Sequence, residues 1–249
     1  MKAMVILSGG QDSTISLYWA KSLKLFDEIH AITFDYGQKH SREIIASATI
    51  AKMAGCASHS IVNCFNLLKS SSPLTNASVE LEQYDSYESM DNIIGNRVEL
   101  TFVPMRNTLF LTVATNHALA KDCRTLVTGV CQADNANYPD CTEGFIALQK
   151  KSINASLGIN DFEIYTPLMN LSKKDSIEMA MELDGCMSAL AYTHTSYDNQ
   201  YPPTGKDHAT ILRAQGFLEA DVPDPLIVRA WKDGLMDLPN TSNYRGVTK

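Results

Sequence analysis

Ala3-Met4-Val5-Ile6-Leu7 is an unbroken apolar run, and the pattern predicts a buried strand. It stops at Ser8-Gly9-Gly10-Gln11-Asp12-Ser13, a predicted turn. Thr14 to Leu25 then carries Ile15, Leu17, Tyr18, Trp19 and Leu25, which predicts a helix packed on a sheet. Glu28 to Phe34 predicts a second strand and Asp35-Tyr36-Gly37-Gln38 a turn. Ser41 is the predicted cap of a helix running to Gly55, which suits the position just past a helix end. Ser60 to Val62 begins another extended piece.

Residues 65–95 read differently, with Ser, Asn, Glu, Asp and Tyr dominant. They predict a long excursion with one helical turn, suited to covering a substrate or forming an interface. Alternation resumes at Val98 to Val103. Asn107 to Lys121 predicts a helix, Thr125 to Thr128 a strand into Gly129, Glu143 to Ala155 a helix and Phe162 to Tyr165 a strand. Ser172-Lys173-Lys174-Asp175 has the spacing of a capping box ahead of Ile177, Ala180 and Met181. Ser188 to Pro203 is irregular, Lys206 to Leu218 predicts a helix, and the last dozen residues read as a tail. Strands alternating with helices predict an α/β fold: a twisted parallel sheet with helices on both faces. Ligands sit beyond the carboxyl ends of such strands, where Ser8, Asp35, Pro104 and Gly129 are expected.

Composition narrows the function. The 249 residues suit one large domain, or one with a small appendage. No apolar run approaches the ~18 residues of a membrane span. Met1 to Leu7 reaches Ser8-Gly9-Gly10 too soon for a secretory signal, so a cytoplasmic protein is expected. A net charge of −7 argues against a broad grip on nucleic acid. The six cysteines have irregular spacing and no C-x-x-C pair, which reads as free, mostly buried thiols.

The loop Ser8-Gly9-Gly10-Gln11-Asp12-Ser13-Thr14 carries candidate chemistry. Two glycines let a ligand approach the backbone, and successive amides at a helix start can form an anion nest. Asp12 makes sense beside phosphates if it holds Mg²⁺ or a ligand amine. The other reading is a tight turn with an N-cap. Neither the Walker A nor the dinucleotide glycine pattern is present.

Ser-Gly-Gly-x-Asp-Ser after a first strand resembles the PP-loop of the ATP pyrophosphatase superfamily. Phe34-Asp35-Tyr36-Gly37-Gln38-Lys39-His40, Val103-Pro104-Met105-Arg106-Asn107, Gly129-Val130-Cys131-Gln132-Ala133-Asp134 and Tyr138-Pro139-Asp140-Cys141 follow. So does Pro167-Leu168-Met169 with Lys173. Their order is similar to that of the 7-cyano-7-deazaguanine synthase family, over roughly Met4 to Gly216. The resemblance implies an adenine nucleotide alpha hydrolase-like fold, with a nucleotide-binding domain over 1–187 and a C-terminal helical extension over 188–249. It implies ATP and Mg²⁺ as cofactors, 7-carboxy-7-deazaguanine and ammonia as substrates, and a homodimer. Two ATP would act in turn, adenylating the carboxylate and then the amide oxygen, with nitrile as product. An alternative is a relative that stops at the amide or passes the acyl group to another amine, a protein included.

Residue roles follow from that resemblance. Ser8, Gly9, Gly10, Gln11, Asp12, Ser13 and Thr14 would hold the pyrophosphate end. Asp12, Lys39 and Arg106 are the catalytic candidates, the two cations contacting phosphate or carboxylate; otherwise they are surface cations. Asp134 or Asp140 would accept hydrogen bonds from the guanine-like edge; otherwise each is a turn aspartate. Tyr138 would stack on the base or simply pack. Asn107 and Gln132 are polar positioners, Tyr36 and Gln38 are further substrate-binding candidates, and His40 is a proton shuttle or structural. Members of the family usually carry a zinc site of Ser-Cys-Tyr and Cys-Gly-x-Cys-x-x-Cys-x-x-Arg. Here Ser196, Thr204, Asp207 and Thr210 replace the four cysteines, while Gly205, Arg213 and Gly216-Phe217 keep the frame. Hydroxyls are poor Zn²⁺ ligands, so no zinc is expected. The four are expected to form a hydrogen-bonded cluster, with Asp207 or Thr204 capping the next helix.

Overall fold

The computed structural model describes residues 1–37, 41–76, 78–132 and 136–248. Among these, β1 (Lys2–Ile6), β2 (Glu28–Asp35), β3 (Ser58–Asn63), β4 (Thr125–Val127) and β5 (Glu163–Tyr165) form one sheet. The order is β3-β2-β1-β4-β5 and every pairing is parallel. The chain runs outward from β1 through β2 to β3, then returns to start β4 on the other side of β1. The ends of β1 and β4 therefore flank a topological switch point, the usual place for a ligand crevice.

Side chains of successive strand residues point to opposite faces, which splits the core in two. Val5 and Val127 face α1 (Gln11–Ser22), α2 (Ser41–Ala54), α6 (Lys173–Glu182) and α7 (Cys186–Leu190). Met4, Leu126, Ile32 and Ile164 face α4 (Arg106–Leu119) and α5 (Glu143–Leu157). Each fully buried aliphatic side chain contributes about 1.5–3 kcal/mol. The predicted capping box is present at α6: Ser172 Oγ accepts from the Asp175 amide, and the Asp175 carboxylate accepts from the Ser172 amide.

Four expectations need correction. Helix α1 starts at Gln11, three residues before Thr14, because Gly10 takes the N-cap and Gln11, Ser13 and Thr14 are buried polar residues that apolar periodicity does not register. Val98 to Val103 is no strand. That segment turns around the buried Glu99 carboxylate, which accepts from the Thr101 amide at 2.7 Å, from the Thr101 hydroxyl and from Tyr138 Oη at 3.1 Å. Pro104 therefore follows a turn, not a strand. The excursion 65–95 holds two turns of helix, α3 (Tyr87–Ile94), capped by Ser86 and packed through Met90 and Ile94 on Ile211 and Leu212.

The C-terminal part is more ordered than its sequence suggests. Helices α7, α8 (His208–Glu219) and α9 (Pro225–Lys232) follow one another there. The last dozen residues are not all tail, since Asn243 is buried and donates to the Val222 carbonyl at 3.0 Å. Among the described residues no helix is long and apolar enough to cross a membrane.

Candidate functional site

The loop between β1 and α1 is shaped by its own hydroxyls. Ser13 Oγ donates to the Gly10 carbonyl at 3.1 Å and accepts from the Ser8 amide at 3.2 Å. The Gly10 amide donates to Ser8 Oγ. Helix α1 opens on Gly10 with no side-chain cap. Amides of a first helical turn have no intrahelical acceptor, so this end is suited to an anion. Ser8, Gly10, Gln11, Asp12 and Ser13 line a cavity of ≈ 500 Å³.

Gly9 and Thr14 do not line it. Gly9 has φ +92°, and a Cβ there would stand 2.3 Å from the Glu43 carbonyl oxygen. Its lack of a side chain lets the loop press on α2. Thr14 is fully buried and donates to the Gly10 carbonyl at 2.8 Å. Gly129 serves a similar approach after β4: a Cβ would meet the backbone of Asp12 and Ser13 at 2.8 Å.

Lys173 reaches back to this loop from the start of α6. Its Nζ lies 2.7 Å from Asp12 Oδ2, and the two side chains are 15% and 28% exposed. This lysine stands in the last quoted motif, but its contact with Asp12 spans 161 residues, so no local pattern signals it. Two further polar atoms on the cavity wall, Gln11 Nε2 and His208 Nε2, are buried without a hydrogen-bond partner among the described residues. Orphaned buried polar atoms beside a cavity mark where a ligand completes the hydrogen bonding. Burial pushes His208 down to about 4, with Lys173 adding to that and Glu99 opposing it, so its imidazole is neutral at pH 7.

Arg106 and a set of rings, Phe34, Tyr36, Phe110, Tyr138 and Tyr197, also line the cavity. Met105, a non-glycine at φ +65°, directly precedes Arg106, a backbone strain typical of functional sites. Burial alone would lower the guanidinium's pKa, but Tyr36, Tyr138 and Tyr197 around it raise it, so Arg106 stays charged. Burial also pushes the phenols of Tyr36, Tyr138 and Tyr197 upward. Arg106 lies 5.9 Å above the Tyr138 ring, and Tyr138 Oη is held by Glu99. Phe34 stacks on Phe110 at 4.2 Å, with Tyr36 tilted against the same ring.

Of the predicted substrate positions, Tyr36, Asn107, Gln132 and Tyr138 line the cavity. Asp140 does not: it is 6% exposed, and its Oδ2 accepts from the Asn107 amide at 3.3 Å, which steadies the start of α4. Asn107 in turn donates to the Asp140 carbonyl, and Gln132 Oε1 accepts from the Glu143 amide at 3.0 Å. Gln38, Lys39, His40 and Asp134 lie outside the described residues. Glu43, Lys173, Tyr197 and His208 also line the cavity and were not among the predicted site residues. On the sequence, Glu43 looks like an ordinary solvated residue of a first helical turn.

The four positions where the resemblance implies cysteines, Ser196, Thr204, Asp207 and Thr210, are joined here by hydrogen bonds. Ser196 Oγ bonds to the carboxylates of Asp198 and, at 3.0 Å, Asp207. Thr204 donates to Asp198 at 2.7 Å. Asp207 caps α8, accepting from the Thr210 amide at 3.0 Å, and Thr210 Oγ1 donates to the Asp207 carbonyl. Three hydroxyls and one carboxylate at the four cysteine positions do not fit a structural Zn²⁺. Among the described residues no group of three or more His, Cys, Asp or Glu is placed to hold a metal.

The profile of "Queuosine biosynthesis protein QueC" matches residues 2–221. A 7-cyano-7-deazaguanine synthase of Laribacter hongkongensis is 44% identical over 230 residues, covering 91% of this chain and 94% of that one. The synthase of Chromobacterium violaceum is 41% identical, over 92% of this chain and 94% of its own length. Among solved structures, the U34-tRNA thiolase NcsA of Methanococcus maripaludis aligns with 16% identity, 96% and 74% coverage and a TM-score of 0.43, too loosely to bear on chemistry. With a match over nearly its whole length, this chain belongs to the QueC family of queuosine biosynthesis proteins.

Proposed function

We propose that the protein converts 7-carboxy-7-deazaguanine and ammonia to 7-cyano-7-deazaguanine at the expense of ATP. The observation that carries this is the Asp12–Lys173 pair, set at the uncapped start of α1 on the wall of a cavity that also holds a charged Arg106 and several aromatic rings. In this reading the first-turn amides, Ser8, Ser13 and Lys173 hold the pyrophosphate that leaves ATP. Asp12 is the carboxylate placed for the Mg²⁺ that accompanies the nucleotide, an ion that neutralises phosphate charge. Gln11 Nε2 and His208 Nε2 supply the remaining polar contacts to the bound ligands.

Arg106 and Lys39 stabilise the charge that develops as the acid's oxygen attacks the α phosphate. A carboxylate cannot expel oxide, whereas its AMP ester can expel AMP. Ammonia then gives the amide, a second adenylation activates the amide oxygen, and loss of AMP gives the nitrile. The rings of Tyr36, Phe110 and Tyr138 offer faces for flat heterocycles, which orients the reacting carboxyl. Asp134 is the reader of the guanine-like edge in this proposal. Asp140, tied to Asn107, acts by positioning α4.

The same reading carries a cytoplasmic homodimer that does not grip nucleic acid, in keeping with the net charge of −7. Exposed Ile61, Phe65 and Leu67, on edge strand β3 and the turn beyond it, supply apolar surface for a second copy.

One incubation tests the reaction: purified protein, ATP, Mg²⁺, the 7-carboxy base and an ammonium salt, read by mass spectrometry. Nitrile with AMP is the expected result. Amide as the end product, or an acyl adduct on another amine, would replace the proposal with its relative. No AMP would overturn both. The protein is also proposed to be stable without zinc. After EDTA and return to excess Mg²⁺, its melting temperature is expected to be unchanged, whereas a large fall would contradict the zinc-free reading.

A further inference from the structure

Helix α2 brings a carboxyl group to the cavity that no step above uses. Glu43 sits in the first turn of α2, its carbonyl oxygen against Gly9 of the phosphate loop. Its side chain lines the same cavity as Tyr36, Arg106 and Tyr197. It is half-buried, and its carboxyl makes no hydrogen bond or ion pair with another described residue. A helix start favours the ionised form of a carboxyl group, as does a nearby guanidinium. Burial nonetheless pushes Glu43 up to about 8, against the pull of Arg106. Asp12, in the same cavity, is instead paired with Lys173. Two carboxyl groups with opposed environments point to two different tasks.

We propose that Glu43 is the catalytic base that takes a proton from ammonium inside the cavity and leaves ammonia beside the acyl adenylate. The inference rests on the reaction proposed above. Ammonium has no lone pair, so it must lose a proton before it can attack. An ordinary carboxylate is too weak a base for that task, whereas one titrating close to the working pH is matched to it. The rings of Tyr36 and Tyr197, on which the Glu43 charge acts, suit a small cation before transfer and a neutral amine after it.

One ammonium proton moves to Glu43, and the nitrogen lone pair forms the C–N bond. The C–O bond to AMP breaks with its electron pair on the phosphate oxygen. The second proton leaves the nitrogen with the departing AMP, and Glu43 later returns its own proton to solvent.

The test compares wild type and Glu43→Gln in three assays at neutral pH. These are acid-dependent exchange of pyrophosphate into ATP, product formation with ammonium, and hydroxamate formation with hydroxylamine, which is already a neutral nucleophile. Exchange and hydroxamate formation are expected to stay within about tenfold of wild type, while product from ammonium falls by about 10²–10⁴-fold. Glu43→Asp should recover part of the ammonium reaction. Ammonium turnover within tenfold of wild type, or an equal loss in all three assays, would overturn the assignment. If the glutamine variant does not fold, Glu43→Asp carries the same comparison: a loss selective for ammonium supports the base, and equal rates with both nucleophiles refute it. Wild-type protein that makes no AMP from the acid would remove the parent reaction itself, a result distinct from any of these.

Discussion

Asp12→Ala is expected to lower AMP formation by on the order of 10³-fold while leaving the fold intact. The carboxylate does two things in the proposed site. It is the anion placed to hold Mg²⁺, and it fixes Lys173 Nζ at 2.7 Å, directed at the start of α1. Without it the lysine loses the anion that holds it at the start of α1, so the cation needed at the leaving pyrophosphate is less well preorganised. The pair is partly open to solvent, with side-chain exposures of 15% and 28%, so its loss should cost about 1 kcal/mol or less of stability. That corresponds to a shift in melting temperature of roughly 2–4 °C. Lys173→Gln should show a loss of similar size, and the double variant little more than either, because residues that act as a unit are not additive. Quenched assays for AMP, paired with thermal melts, make the check. AMP formation within tenfold of wild type in the alanine variant would remove Asp12 from the site.

What could be read from residues alone divides by distance along the chain. Strand β1 was legible because it runs into the apolar stretch Ala3 to Leu7, and a central strand of a doubly covered sheet needs little else, whereas edge strand β3 is mostly polar and only its Ser60 to Val62 stood out. The α6 cap was legible because Ser172 and Asp175 lie three residues apart and the bonds they form are local. The turn after β1 was legible for the same reason: its hydrogen bonds run between Ser8, Gly10, Ser13 and Thr14, at most five residues apart. Val98 to Val103 misled because alternation records only which side chains are apolar. It does not record that Glu99 would be buried and pull the Thr101 amide into a turn, away from any ladder. Lys173 and Glu43 belong to the site by tertiary packing, and each stands in a helical first turn where a charged residue is ordinary. Asp140 showed the reverse: a motif aspartate whose carboxylate is turned away from the cavity, toward the Asn107 amide. The cluster of Ser196, Thr204, Asp207 and Thr210 could be anticipated because the surrounding frame was kept and the replacements are hydrogen-bonding residues. The part played by Asp198 in it was not.

The largest loss of stability is expected from Asp224→Asn. Arg213 and Asp224 are each 3% exposed and form a two-pronged pair, with Nε to Oδ2 at 2.6 Å and Nη2 to Oδ1 at 2.8 Å. The remaining guanidinium hydrogens reach Thr193 Oγ1, Thr195 Oγ1 and the Leu190 carbonyl. Asp224 Oδ1 also accepts from the Leu226 amide and so caps α9. One buried cation thus joins α8, α9 and the segment after α7. That segment also touches the phosphate loop, since the His194 amide donates to the Gly9 carbonyl at 2.9 Å. Asparagine has nearly the same shape but turns an NH₂ toward the guanidinium and leaves its charge uncompensated. Breaking a buried pair from one side costs about 3–5 kcal/mol, which for a chain of this size lowers the melting temperature by roughly 6–20 °C. Replacing both partners separates charge from packing. Arg213→Met with Asp224→Leu should recover much of the stability, because no buried charge is left behind. It should not recover activity, since Arg213 lines the cavity and holds the segment that supports the loop. A cost below about 1 kcal/mol for Asp224→Asn, measured by thermal melts and denaturant titration, would mean that this pair is not what joins the C-terminal helices to the phosphate loop.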